Sequence, residues 1–166
     1  MMIHFYPLSL RSAAVLALAI PLFAAVKLDQ KKVLTNEAAK QIAGAAVRFA
    51  AANSYKISVA ISDDGGHLLY LERMDEANPS SVDTSSAKAI AAVLYKQPTK
   101  NFADRLAHGE TLVLKLQGAM PVEGGFPLIV EGKVIGAIGV GGAPKGQMDA
   151  QIAQAGVDWL KANLSK

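Results

Sequence analysis

The stretch MPVEGGFPLIVEGKVIGAIGVGG, residues 120–142, sets the architecture of this chain. Two apolar runs, residues 127–130 and 133–140, flank the pair Glu131-Gly132. Because β-branched residues cluster on both sides of a glycine-containing break, this stretch predicts a β-hairpin.

The second strand of the hairpin carries glycines in its interior. Gly136 and Gly139 weaken the strand and leave a flat surface that a helix or a ligand can approach. The string GAIGVGG also invites a nucleotide-binding interpretation, which fails on spacing. Gly139 and Gly141 would need a third glycine at position 144, which is Pro144. The sequence therefore argues against a nucleotide site.

Helical periodicity and capping residues predict four helices around this hairpin, over approximately residues 35–53, 79–96, 99–109 and 147–163. In the first and last of them, apolar residues fall on one face and are expected to pack in the core. These residues are Ile42, Ala43, Ala46, Phe49 and Ala50, and then Ile152, Ala155, Gly156 and Trp159.

A second hairpin precedes the second helix. Residues 57–61 alternate as a half-buried strand, and residues 67–74 return as a strand after the turn DDGG. Residues 112–116 are compatible with either a strand or a loop. The element order α-β-β-α-α-β-β-α implies a single α+β domain, a mainly antiparallel β-sheet flanked by helices.

Composition excludes several functional classes. The chain has 166 residues, enough for one domain with a sizeable core. Its formal charge of +3 is small and its basic residues form no block, which argues against nucleic acid as a partner. With no cysteine, it has no disulfide, no zinc-thiolate site, no iron–sulfur cluster and no thiol nucleophile.

The N-terminal segment has the pattern of a secretory signal peptide. Arg11 precedes residues 12–25, an uncharged apolar run that ends in small residues. We therefore expect residues 1–25 to be a signal peptide, residues 34–164 to be the folded domain, and the protein to be periplasmic or secreted. An uncleaved anchor is the competing interpretation. The run is short for a membrane span, so no stable span is expected after signal removal.

One face of the second helix carries the most informative polar residues. Ser81, Thr84, Ser85 and Lys88 lie at i, i+3, i+4 and i+7 and therefore share that face. Hydroxyls and one ammonium could line a pocket for an anionic ligand such as a carboxylate. The alternative is a solvated helix face whose small residues pack between neighbours.

Histidine and methionine supply the candidate metal ligands. His67 follows the DDGG turn, and His108 ends the short third helix. Either imidazole could bind a metal or haem iron, or act as a base near neutral pH. Met74 and Met120 are possible soft ligands, although core packing is the commoner role of methionine.

Five segments together resemble the GlcG/HbpS family of small haem-binding proteins. They run in the family's order and span nearly all of residues 34–164. They are SVAISDDGGHLLYLERMD (58–75), SSAKAIAA (85–92), PTKNFADRL (98–106), EGGFPLIVEGKVIGAIGVGGAP (123–144) and QMDAQIAQAG (147–156). The resemblance implies a compact α+β domain, a homo-oligomer, and haem as the cofactor of exported members.

The chain departs from the family's pattern at two points. The resemblance implies an iron-holding threonine just before the glycine pair, and the aligned residue here is Ala119. It also implies an acidic iron-binding pair on the second helix, which falls on Asp83 and Ser86, so one carboxylate is missing. The resemblance therefore does not extend to direct iron storage, and any haem ligand must differ.

These observations lead to one main hypothesis, an exported protein that binds haem or a small anion. The ligand is expected between the second helix and the segment entering the hairpin, closest to Lys88, Met120 and Gly124-Gly125. Met120 is the first candidate for the iron ligand and His67 the second.

Two other hypotheses stay open. One is a lyase or isomerase acting on a small hydroxy- or oxo-acid in the same cleft, with Asp83 or Glu123 as the base and Lys88 holding the substrate carboxylate. The other is a structural oligomer without a ligand.

Overall fold

The computed structural model describes residues 1–2, 26–28 and 30–164 of the chain. In chain order the elements are α1 (Asn36–Ala52), β1 (Ser58–Asp63), β2 (Leu68–Arg73), α2 (Ser81–Leu94), α3 (Lys100–Ala107), a 3₁₀ helix (Thr111–Lys115), β3 (Gly125–Val130), β4 (Lys133–Gly141) and α4 (Gly146–Asn163). The four strands form one antiparallel sheet of order β2-β1-β4-β3. The predicted α+β class and element order are confirmed.

The predicted signal peptide cannot be compared with this structure. Nearly all of the expected signal peptide, residues 3–25, lies outside the described residues. In the described ranges, no helix combines the length and the apolar character needed to cross a bilayer.

Helices cover both faces of the sheet. α2 packs on one face, against β4 and β1, and α1 and α4 pack side by side on the other. β1 is therefore buried on both faces, and the expectation of a half-buried strand is wrong. Its serines Ser58 and Ser62 are buried because α2 covers the side that the alternation had assigned to solvent.

The glycine-containing strand β4 allows α2 to approach the sheet. A Cβ at Gly139 would overlap the carbonyl oxygen of Ser85 and lie 2.5 Å from the backbone nitrogen of Ala89, both on α2. The flat surface predicted at Gly139 is therefore a helix-packing surface. The turn between β3 and β4 places Glu131 at φ 51° and Gly132 at φ 75°, the two left-handed residues of a tight hairpin turn.

The helix predictions hold with local differences. The Oγ1 of Thr35 caps α1 by accepting a hydrogen bond of 3.2 Å from the N–H of Ala38, as predicted. Phe49, expected in the core, is exposed because it lies at the margin of the buried stripe. Ala155 and Trp159 are half-buried on α4, where Ile152 and Gly156 lie in the core. Residues 111–115 form a 3₁₀ helix, anchored by the buried Val113.

Candidate functional site

The polar face predicted on α2 exists, and it lies against the sheet. Ser81, Ser85 and Lys88 are buried beneath β1 and β4, and Thr84 is half-buried. The hydroxyls bond to protein atoms within the described structure. Ser81 Oγ lies 2.7 Å from Ser58 Oγ, Thr84 Oγ1 donates to the Ser80 carbonyl, and Ser85 Oγ donates to the Val82 carbonyl.

Lys88 forms an ion pair inside the protein. Its side chain is 0% exposed, and its Nζ donates to Asp149 Oδ2 at 2.7 Å and to the Val140 carbonyl at 2.8 Å. The other carboxylate oxygen of Asp149 accepts a hydrogen bond of 3.0 Å from the N–H of Ala143. No sequence signal pointed to Asp149, which lies 61 residues away on α4.

The electrostatics of this pair are set by burial. Burial raises the pKa of the Asp149 carboxyl, while the hydrogen bond and charge of Lys88 act in the opposite direction. A buried carboxylate that met no cation would be costly, so the Lys88 ammonium balances a charge that the fold itself buries. A direct contact between Lys88 and an anionic ligand stays a prediction.

The glycine pair before β3 packs against the same centre. A Cβ at Gly124 would lie 2.7 Å from the Cβ of Asp149 and 3.0 Å from Lys88 Nζ. A Cβ at Gly125 would lie 2.5 Å from the Lys88 carbonyl oxygen and 2.6 Å from Thr99 Cγ2. The missing side chains therefore let the segment entering the hairpin approach α2 and α4, which brings Lys88, Gly124 and Gly125 together.

Thr99 holds this segment from the other side. It precedes α3 as predicted but makes no side-chain capping bond. Instead, Thr99 Oγ1 accepts from the N–H of Gly125 at 3.0 Å, and the Thr99 N–H donates to the Gly125 carbonyl at 3.0 Å. The position of Gly125 is thus fixed by α2, α3 and β4 together.

Met120 lies on a small hydrophobic cluster beside α2. It is half-buried and packs with Ala119 against the buried residues Ala91, Phe102 and Val113. Val113 anchors the 3₁₀ helix, whose neighbouring side chains, Leu112 and Leu114, are 76% and 61% exposed. A thioether and exposed leucines are therefore carried by one cluster.

The outer surface of α2 carries an apolar patch, defined here as Ile90 and Leu94. The Leu94 side chain is 52% exposed and lies between two turns. A Cβ at Gly66 would lie 3.7 Å from Leu94 Cδ2, and a Cβ at Gly118 would lie 3.7 Å from Leu94 Cδ1. Gly66 immediately precedes His67, and Gly118 is two residues before Met120. The patch is thus flanked by the two turns that carry the predicted iron ligands.

The two histidines differ in what holds them. His67 is 84% exposed, with its Nδ1 3.5 Å from Asp63 Oδ1. His108 Nδ1 lies 2.7 Å from the Asp104 carbonyl oxygen. Because a carbonyl oxygen only accepts, that contact places the proton on Nδ1 of the neutral His108 ring and leaves Nε2 as an acceptor.

The remaining candidates do not converge. Asp83 is exposed, Met74 packs against the main core, and Glu123 Oε1 lies 3.9 Å from Lys100 Nζ. The hydroxy- or oxo-acid hypothesis needs Lys88 for the substrate carboxylate, and the described structure engages that ammonium with Asp149. Among the described residues, no group of three His, Asp or Glu side chains could hold a metal ion.

Comparison with known proteins gives concordant matches. The sequence profile of the family described as "Haem degrading protein HbpS-like" matches residues 34–158. The chain is 38% identical over 110 residues to the Escherichia coli protein GlcG, a match covering 66% of this chain and 82% of GlcG.

Two solved structures share the fold. A double mutant of Streptomyces reticuli HbpS has 40% identity and a TM-score of 0.74, covering 86% of this chain and 97% of that one. A PduOC:haem complex has 29% identity and a TM-score of 0.70, covering 76% and 94%.

Proposed function

The chain belongs to the HbpS-like family, and on that premise we propose that it binds haem on the outer surface of α2. One observation carries the proposal: the apolar patch of Ile90 and Leu94 lies between the turn that bears His67 and the segment that bears Met120. The PduOC:haem complex supports haem as the ligand, since that relative shares the fold.

The patch suits the apolar body of a porphyrin. Ile90 and Leu94 are both exposed on α2, although large aliphatic side chains usually lie inside. Covering them with a flat apolar ligand would remove that surface from water, at about 25 cal/mol for each Å². Burying Ile90 and Leu94 would therefore favour the binding of a flat apolar ligand.

The iron ligand is proposed to be Met120, with His67 as the second candidate. The Met120 thioether is a known type of axial ligand, and its half-buried position leaves part of the side chain accessible. His67 has an exposed imidazole and directly follows Gly66, where a Cβ would lie 3.7 Å from Leu94 Cδ2. Bound haem would supply iron for redox or oxygen chemistry, and the protein side chains would set its orientation and axial ligation.

Lys88 and the glycine pair are proposed to act on this site by positioning. Gly124, four residues after Met120, packs closely against the Lys88 ammonium and the Cβ of Asp149, the two residues of the buried ion pair. The buried hydroxyls of Ser81 and Ser85, and the half-buried hydroxyl of Thr84, belong to the same helix that carries the patch. In this proposal they hold α2 in place rather than contact the ligand.

We also propose that the protein is exported and assembles into a homo-oligomer. The signal-peptide pattern of residues 1–25 supports export. Intact mass of the exported protein should show a start near Ala25, Val26 or Lys27, and recovery of the full-length chain from the cytoplasm would refute export.

The exposed Leu112 and Leu114 are the surface proposed to be covered by another copy.

Titration of the purified protein with haemin tests the haem proposal. Binding should shift the Soret band saturably, with an end point at a fixed ratio of haem to chain. Lysozyme, a basic protein without a haem site, serves as a control for non-specific adsorption. A titration that never saturates, or that matches the control, would mean that the protein has no haem site.

A further inference from the structure

A separate cleft lies at the outer edge of β3, between the start of α3 and α4. It has a volume of about 430 Å³, within the range of small-molecule sites. Its apolar lining residues include Phe126, Pro127, Ile129 and Val157, and its lining also includes Lys96 and Lys161. None of the residues proposed for haem lines it.

The charged residues that line this cleft are all basic. Among the described residues that line it, two are lysines, none is acidic, and three are neutral amides. Lys96 forms no ion pair within the described part of the chain. The Lys161 Nζ lies 3.9 Å from Asp158 Oδ1, a long contact between two exposed side chains that leaves its charge weakly compensated. An anionic group would find complementary charge here.

The edge strand itself argues against a peptide in this cleft. The N–H of Val140 donates to the Gly124 carbonyl, so the backbone carbonyl of Gly124 faces β4. Backbone groups alternate along an edge strand, so those of the next residue face away from the sheet. Gly125 does so, bonding to Thr99. The next outward position is Pro127, which has no N–H to donate, so an added strand would lose a ladder bond there.

From this geometry we propose that the cleft binds an amphipathic small-molecule carboxylate, with its apolar body on Ile129 and Phe126 and its carboxylate paired with both Lys161 and Lys96. Lys96 has a left-handed backbone, φ 52°, two residues after the end of α2, and it lines the cleft. The lining offers no imidazole, thioether or carboxylate for iron, so this site is distinct from the haem site.

Isothermal titration calorimetry of the protein without residues 1–25 tests the proposal, with decanoate as the ligand and decanol and acetate for comparison. Decanoate should bind saturably, decanol at least tenfold more weakly, and acetate without measurable heat, because both the chain and the charge are needed. Lys161→Ala and Lys96→Ala should each weaken decanoate binding by about tenfold, as for a lost charged hydrogen bond. Lys40→Ala, an exposed lysine on α1, should leave it unchanged.

Ile129→Asp should abolish decanoate binding, with its circular dichroism and its haemin titration unchanged from wild type. That pattern separates this site from the haem site, so either proposal can fail alone. Decanoate binding that is absent, or that survives Ile129→Asp and Lys161→Ala, would overturn the inference. The inference would also be overturned if wild type is an oligomer and Ile129→Asp is a monomer, since a second copy of the chain would then occupy the cleft.

Discussion

Lys88 Nζ and Asp149 Oδ2 lie 2.7 Å apart in the interior and tie α2 to α4 around the end of β4. Their remaining hydrogen bonds reach the Val140 carbonyl and the Ala143 N–H, on either side of that strand end. Gly124 fits against both side chains because it has no Cβ. The pair therefore organises the segment on which the proposed haem site depends.

Lys88→Met should destabilise the protein by about 3–5 kcal/mol, because it leaves the Asp149 carboxylate buried and unpaired. The loss should shrink as the pH is lowered, because burial raises the pKa of the Asp149 carboxyl and a protonated Asp149 is neutral. Urea unfolding at two pH values measures both effects. Adding Asp149→Asn should recover much of the loss, and a double variant no more stable than Lys88→Met would contradict this account.

Gly139→Ala should destabilise the protein by about 1–3 kcal/mol or more, because its Cβ would meet the backbone of α2 at Ser85 and Ala89. Gly44→Ala is the matched control, since its Cβ would meet only the flexible end of Arg48 at 3.2 Å. Thermal unfolding of both variants makes the comparison. Equal melting temperatures for the two would show that α2 does not pack on β4 as described.

The acid stability of the protein should depend in part on Asp63. Hydrogen bonds from the backbone N–H groups of His67 and Gly65 hold the pKa of this carboxyl below its usual value of 3.8. The folded protein binds this proton less tightly than the unfolded chain does. Asp63 therefore adds stability above the unfolded pKa, and that contribution is lost as the pH falls through the folded pKa.

Asp63→Asn keeps an acceptor for both N–H groups and removes the titration. The difference in unfolding free energy between wild type and this variant should be largest near pH 7 and shrink below about pH 4. Urea unfolding at pH 7, 5 and 3 measures it. A difference independent of pH would show that the Asp63 charge does not contribute.

Leu114→Glu should dissociate the proposed homo-oligomer, because it places a charge on an exposed apolar side chain of the 3₁₀ helix. Light scattering should give several times the chain mass for wild type and a smaller mass for the variant. Val33→Glu alters an exposed apolar residue outside the helices and strands and should keep the wild-type mass. A monomeric wild type at micromolar concentration would count against the oligomer.

Local sequence patterns predicted most of the fold but few contacts of the candidate site. Glu131-Gly132 marked the hairpin because a tight turn needs residues that accept left-handed backbone, and the glycines of β4 marked a close approach. The double burial of β1 was not predictable from its alternation, because Ser58 and Ser62 look like solvent-facing residues until α2 covers them.

The ion pair was beyond sequence reasoning for a different reason. A lysine on a helix among serines is usually a surface residue, and no spacing links Lys88 with Asp149 across 61 positions. Similarly, the contacts of Leu94 with the turns at Gly66 and Gly118 arise only from the tertiary arrangement. The sequence therefore pointed to the polar residues of α2 and could not show that they face the sheet, with Ile90 and Leu94 exposed on the same helix.

The most direct test of the haem site compares haemin titrations of wild type with those of Met120→Ala, His67→Ala and Met74→Ala. Met74 packs in the main core and is the matched control. The proposed haem site predicts a saturable Soret shift in wild type, the same spectrum for Met74→Ala, and a different band position for Met120→Ala with affinity changed less than the spectrum. A wild type without a Soret shift, or identical spectra for all four proteins, would contradict it.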